Sequence, residues 1–60
     1  MINPRSIHLQ TLELILEKKG YSDEEAWNLM QPIVNEDDKR FFSEFHKFRE
    51  KFINLPDKNV

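Results

Sequence analysis

The sequence predicts an all-α fold, a small domain of three helices, and three observations carry that prediction. Phe41, Phe45, Phe48 and Phe52 recur at spacings of four, three and four residues, which follow the helical period and set four rings on one side of a helix. Ser22-Asp23-Glu24-Glu25 has the form of a capping box, the strongest local signal for a helix start in the chain. Pro4, Gly20, Pro32 and Pro56 punctuate the sequence at intervals that suit helices and leave little room for strands.

The first helix is expected over residues 4–19. It opens at Asn3-Pro4 or at Ser6, because Asn is a strong N-cap and Pro at the first helical position costs no hydrogen bond. Lys18-Lys19-Gly20 closes it, with cations against the negative end of the helix dipole and a glycine free to take the left-handed conformation. Its wheel is unusually apolar. Leu9, Leu12 and Leu16 form one line, Ile7 and Leu14 a second, and Ile15 lies between them. Such a helix packs on two neighbours, either the second and third helices or one of them and a second copy of the chain.

The second helix is expected over 22–31. Ser22 caps it, Tyr21 and Ala26 occupy the hydrophobic-staple positions, and Ala26, Met30 and Ile33 mark the inner face with Trp27 and Leu29 on the flanks. Pro32 disfavours helical angles at Gln31, so the helix is expected to stop near Met30, with a kinked run through Val34 as the alternative.

The third helix is expected over 35–54, with Asn35 as its cap, Glu36, Asp37 and Asp38 in its first turn, and Leu55-Pro56 as its stop. At about 28 Å it is longer than the first, so its last turn with Phe52 and Ile53 is expected to overhang a monomer and favour a homodimer. Residues 1–56 then make one helical domain and 57–60 a frayed tail. The core predicted from these faces is the phenylalanine line against Leu9, Leu12, Leu16, Ala26, Met30 and Ile33.

Composition narrows the function classes. Sixty residues are near the lower limit for a chain that folds alone, and there is no cysteine to supply a disulfide, a zinc thiolate or a thiol nucleophile. No apolar h-region opens the chain, and its longest apolar run near the start is Leu14-Ile15-Leu16, so a cytoplasmic protein without a membrane span is expected. His8 and His46 lie on different helices without a ligand spacing around them, and one glycine cannot build a phosphate loop. The expectation is a chain without enzymatic activity, cofactor or metal.

The charge of −2 is unevenly spread, with three cations and eight acids over residues 1–38 and six cations and three acids over 39–60. Asp23, Glu24 and Glu25, and then Glu36, Asp37 and Asp38, sit where helix dipoles favour them; they are also candidate steering charges toward a basic partner. Arg40, Lys47 and Lys51 share one side of the third helix and support an alternative reading, a nucleic-acid-binding regulator, which the acidic balance and the interleaved Glu44 disfavour. Phe42 lies about 100° off the phenylalanine line and forms a second, weaker apolar edge with Ile53. The leading expectation is therefore a protein-binding module, a regulator or inhibitor acting by occlusion, with Trp27, Phe42, Arg49 and Ile53 as contact residues.

Overall fold

A computed structural model describes residues 3–58. Three helices pack around one core: α1 (Pro4–Lys18), α2 (Asp23–Val34) and α3 (Asp38–Ile53). The fold is all-α, as the periodicity predicts, and among the described residues no helix is long and apolar enough to cross a membrane.

The caps explain the boundaries. Asn3 accepts from the Arg5 amide at 2.9 Å with Pro4 in the first turn of α1. At the other end Gly20 takes φ 93°, and the Gly20 and Tyr21 amides donate to the Glu17 and Leu16 carbonyls at 2.9 and 3.1 Å, which completes a Schellman motif. Ser22 and Glu25 form both halves of the capping box of α2, at 3.1 and 3.2 Å.

Two expected boundaries are corrected. α2 does not stop near Met30 but runs through Pro32 to Val34. Pro32 is exposed within the last turn, where one lost backbone bond faces water, while Ile33 beyond it is fully buried and holds the turn helical. Asn35 is consequently the C-cap of α2, its amide donating to the Gln31 carbonyl at 3.2 Å, and does not cap the third helix. Asp37 does so, accepting from the Arg40 amide at 2.9 Å.

The chain runs up, down and up, so α1 and α3 are parallel and α2 is antiparallel to both. Arg5 fixes the lower end. Its guanidinium donates to Asp38 at 2.7 Å and to the Val34 and Glu36 carbonyls at 2.6 Å each, and lies 4.6 Å from the centre of the Phe41 ring. One side chain thus caps the end of α2, anchors the start of α3 and covers the core.

The upper end has a counterpart. Lys19 Nζ donates to the Leu55 carbonyl at 2.8 Å, the Tyr21 hydroxyl donates to the Pro56 carbonyl at 3.0 Å, and the Lys58 amide donates to the Lys19 carbonyl at 2.6 Å. Lys19 also meets Asp57 at 3.4 Å, and Lys58 pairs with Glu25. Of the tail expected to fray, Asp57 and Lys58 are thus bonded to the α1–α2 turn, and residues 59 and 60 lie outside the described residues. The Lys58 hydrogen bond, with the Ser22 amide, holds the Glu25 carboxyl below its usual range, so this clasp contributes stability at neutral pH that fades as pH falls through that lowered value.

Leu12, Leu16, Ala26, Met30, Ile33, Phe41 and Phe52 are buried. Phe45 and Phe48 are half-buried, because they stand on either side of the Phe41–Phe52 line, Phe45 toward His8 of α1 at 4.4 Å. Phe52 does not overhang. α3 has 16 residues against 15 in α1, shorter than its sequence suggested, and Phe52 is sealed from solvent while Ile53 beside it is half exposed.

Candidate protein-binding face

α3 carries two lines of side chains. The first points into the core. The second, Phe42, Arg49 and Ile53, turns about 100° away along the flank that meets α1. Phe42 is 42% and Ile53 46% exposed, so both keep large apolar surfaces in water although every buried side chain already has a place.

The inner edge of Phe42 is fixed. Its ring stands edge-on to Phe41 at 5.1 Å and to His8 at 5.2 Å. His8 in turn lies 2.8 Å from the Pro4 carbonyl through Nδ1, which makes Nδ1 the protonated nitrogen of that contact. Phe42 is thus held against α1 on one side and open on the other.

α1 has an exposed apolar line of its own, but on the side turned away from the bundle. It lies about 100–120° round the helix from His8, which meets Phe42, and Leu14 shares a surface concavity with Gln10, Glu13 and Glu17. Ile7 and Leu14, the second apolar line of its wheel, are 46% and 55% exposed. Contacts 33 residues apart at the lower end (Arg5–Asp38) and 36 apart at the upper end (Lys19–Leu55) set the level between the parallel helices. By that offset Ile7 lies level with Phe42, Leu14 with Arg49, and Lys18 with Ile53. The sequence assigned this α1 line to a neighbour. The parallel course of α1 and α3 sets these levels but does not turn Ile7 and Leu14 toward Phe42 and Ile53.

The other expected contact residue is elsewhere. Trp27 is 52% exposed, but it belongs to the flank of α2 that also carries Asp23. Asp23 reaches Glu13 and Glu17, on the side of α1 turned away from His8, so the structure does not bring Trp27 together with Phe42, Arg49 and Ile53.

The six steering acids are split as well. The start of α2 lies at the upper end and the start of α3 at the lower, about 20 Å apart along the helices. Four of the six have work inside the molecule: Glu25 with Ser22 and Lys58, Glu36 with Arg40, Asp37 as N-cap and Asp38 with Arg5. They do not form one field. On the alternative basic side, Arg40 sits between Glu36 and Glu44 at 3.4 Å each, and these carboxylates, Glu36 foremost, raise its pKa. Lys51 lies 5.9 Å from the Phe48 ring, and Lys47 has no ion pair among the described residues.

Glu13, Glu17 and Asp23 place carboxylate oxygens within 4.8 Å of one another on the surface. The Glu17 pKa is raised, by local loss of hydration and then by Glu13 and Asp23; because the side chain is exposed, the like-charged neighbours are the cause with physical weight. A raised carboxyl pKa means that ionisation costs the folded state, so stability from this group falls as pH rises through that value. Glu17→Gln is expected to raise the melting temperature at pH 7 and to leave it unchanged at a pH low enough to protonate all three acids; a lower melting temperature at pH 7 would contradict the repulsion.

Compared with family models, with curated proteins and with solved structures, the chain has no match in any of the three. The functional reading therefore rests on the geometry.

Proposed function

We propose that the chain is a small non-enzymatic protein-binding module, a regulator or inhibitor that works by occluding a surface of its partner, and that the edge of α3 carrying Phe42, Arg49 and Ile53 is its contact face. One observation carries the reading: Phe42 and Ile53 remain about half exposed on one edge of α3, on a molecule whose core is already closed. Soluble domains seldom leave large apolar side chains side by side in water without a contact to cover them. Arg49 among them supplies the residue type most often found carrying interface energy alongside aromatics. Nucleic-acid binding through Arg40, Lys47 and Lys51 is less favoured, since Arg40 is already neutralised by two acids.

Affinity capture from the source cell tests the face. Arg49→Glu and Ile53→Glu change exposed positions, so each is expected to keep the fold and to lose the captured partner, whereas Lys47→Glu on the opposite flank should keep both. Loss of capture with Lys47→Glu and retention with the two face variants would overturn the reading.

Homodimerisation is a second use that the Ile7–Leu14 line supports. Two antiparallel copies of α1 would set Ile7 of each against Leu14 of the other, a self-complementary arrangement. A mass in solution of two chains, reduced to one by Leu14→Glu, would assign that line to a second copy.

A further inference from the structure

We infer that a second copy of the chain covers the outer side of α1 in antiparallel register, and that the resulting dimer carries two open α3 edges, one per copy, so that it engages its partner at two sites. The inference rests on the contact edge and on the Ile7–Leu14 line described above.

The outer side of α1 suits a copy of itself. Between Pro4 and Glu17 it holds Ile7, Gln10, Thr11 and Leu14 and no charged side chain, with Glu13 at its margin toward Asp23 of α2. A two-fold axis midway between Gln10 and Thr11 sets Ile7 of each copy against Leu14 of the other and keeps the two uncharged polar residues at the centre. Glu17 and Lys18 of each copy then lie beside Asn3 and Pro4 of the other, an uncharged end of a helix with no acid in its first turn. The positive end of the helix dipole is complementary to Glu17 there. The Glu17 side chains of the two copies stand about 20 Å apart along the axis, so these acids do not meet.

The α3 edge does not suit a copy of itself. The same operation, with Phe42 against Ile53, sets Arg49 of one copy about 4.5 Å along the axis from Arg49 of the other, with Lys39 and His46 in the same stripe. Like charges so placed oppose the contact. Charge thus divides the two exposed apolar lines between two kinds of occupant: the α1 line takes a second copy and the α3 edge a different protein. A two-fold axis perpendicular to the paired α1 helices keeps the α3 side of each copy on one side of the dimer, so both edges turn the same way. Two such edges hold a repeated or dimeric surface more tightly than one, through the effective concentration of the second site.

The chain has no cysteine, so single introduced thiols report the arrangement. A mixture of Ile7→Cys and Leu14→Cys chains is expected to form the mixed disulfide, and neither variant alone to cross-link. Two copies of one such position lie about 10 Å apart along the axis, whereas a disulfide needs Cα atoms within about 7 Å. The mass of the unmodified chain, followed up to about 1 mM, is expected to approach two chains, and that of Leu14→Glu, with its helical signal kept, to stay at one. Labelling of the Leu14→Cys thiol by a maleimide should slow about tenfold as roughly nine-tenths of the chain pairs, while Ile53→Cys labels at one rate throughout.

A mass of one chain at every concentration, or Ile7→Cys cross-linking to itself as readily as to Leu14→Cys, would overturn the antiparallel pair. Slowed labelling of Ile53→Cys on dimerisation would put the α3 edge inside the contact and overturn the two open sites. A monomeric chain that Leu14→Glu releases from the captured partner, or from phosphatidylcholine vesicles, would give the α1 line to that occupant instead. Capture that survives Arg49→Glu and Ile53→Glu in a chain that still dimerises would remove the contact edge and leave the pair standing, so the two failures are distinct.

Discussion

Phe52→Ala is expected to remove a third or more of the protein's stability at 25 °C. Phe52 is fully buried near the end of α3 and meets Phe48 edge-on at 6.0 Å between ring centres. Removing a buried phenylalanine side chain costs roughly 3–5 kcal/mol, part of it lost transfer energy and part the cavity left behind. Native domains hold about 0.05–0.15 kcal/mol per residue, so a chain of this length has on the order of 3–9 kcal/mol in all. One substitution therefore removes a third of the stability or more.

The neighbouring position supplies the control. Ile53→Ala, one residue on, alters a half-exposed side chain and should change stability by less than about 1 kcal/mol. Urea denaturation followed by helical signal checks both. Equal losses at the two positions would mean that the last turn of α3 does not dock as described.

Arg5→Met is expected to cost about 2–4 kcal/mol, the second largest effect, although Arg5 is charged and stands in the first turn of a helix. Its guanidinium has three acceptors, at the end of α2, in the α2–α3 turn and at the start of α3, and is mostly shielded, with 19% of its side chain exposed. Hydrogen bonds from a charged donor contribute about 1.5–3 kcal/mol, and the Val34 and Glu36 carbonyls would be left without their donor. Arg5→Lys should recover little of the loss, because an ammonium cannot reproduce a planar fork that reaches three oxygens and lies over Phe41. Full stability in Arg5→Lys would show that charge alone matters at this site.

The contrast between these two positions shows what the sequence could disclose. Phe52 belongs to a periodic line, and periodicity reports which side of a helix is inward. It could not report that α3 begins two residues later than Asn35 suggests, which is what draws Phe52 inside. The reason is competition between caps: Asn35, Asp37 and Asp38 are all acceptable starts, and the choice fell to the run of α2 through Pro32. Arg5 left no periodic trace, since its partners lie 29 to 33 residues away.

The candidate face was legible in the wheel of the third helix. Phe42 and Ile53 stood off its core line, and Ile7 and Leu14 stood off that of the first. Whether the two lines meet is a tertiary fact, and they stay apart: Phe42 stands against His8, while Leu14 lies with Gln10, Glu13 and Glu17. Trp27 was grouped with Phe42 for its residue type, and residue type says nothing about which seam a side chain borders. The six acids were grouped for their charge, while the antiparallel course of α2 sends their two clusters to opposite ends.

The central claim is that one side of α3 folds the protein and the adjacent side meets its partner. Mapping backbone amide shifts of the labelled chain on addition of the captured partner tests it most directly. The account predicts that the shifts concentrate on Phe42, Arg49 and Ile53 and leave Trp27 and Lys47 unmoved. Shifts centred on Arg40, Lys47 and Lys51, or on Trp27 and the acids around it, would contradict it.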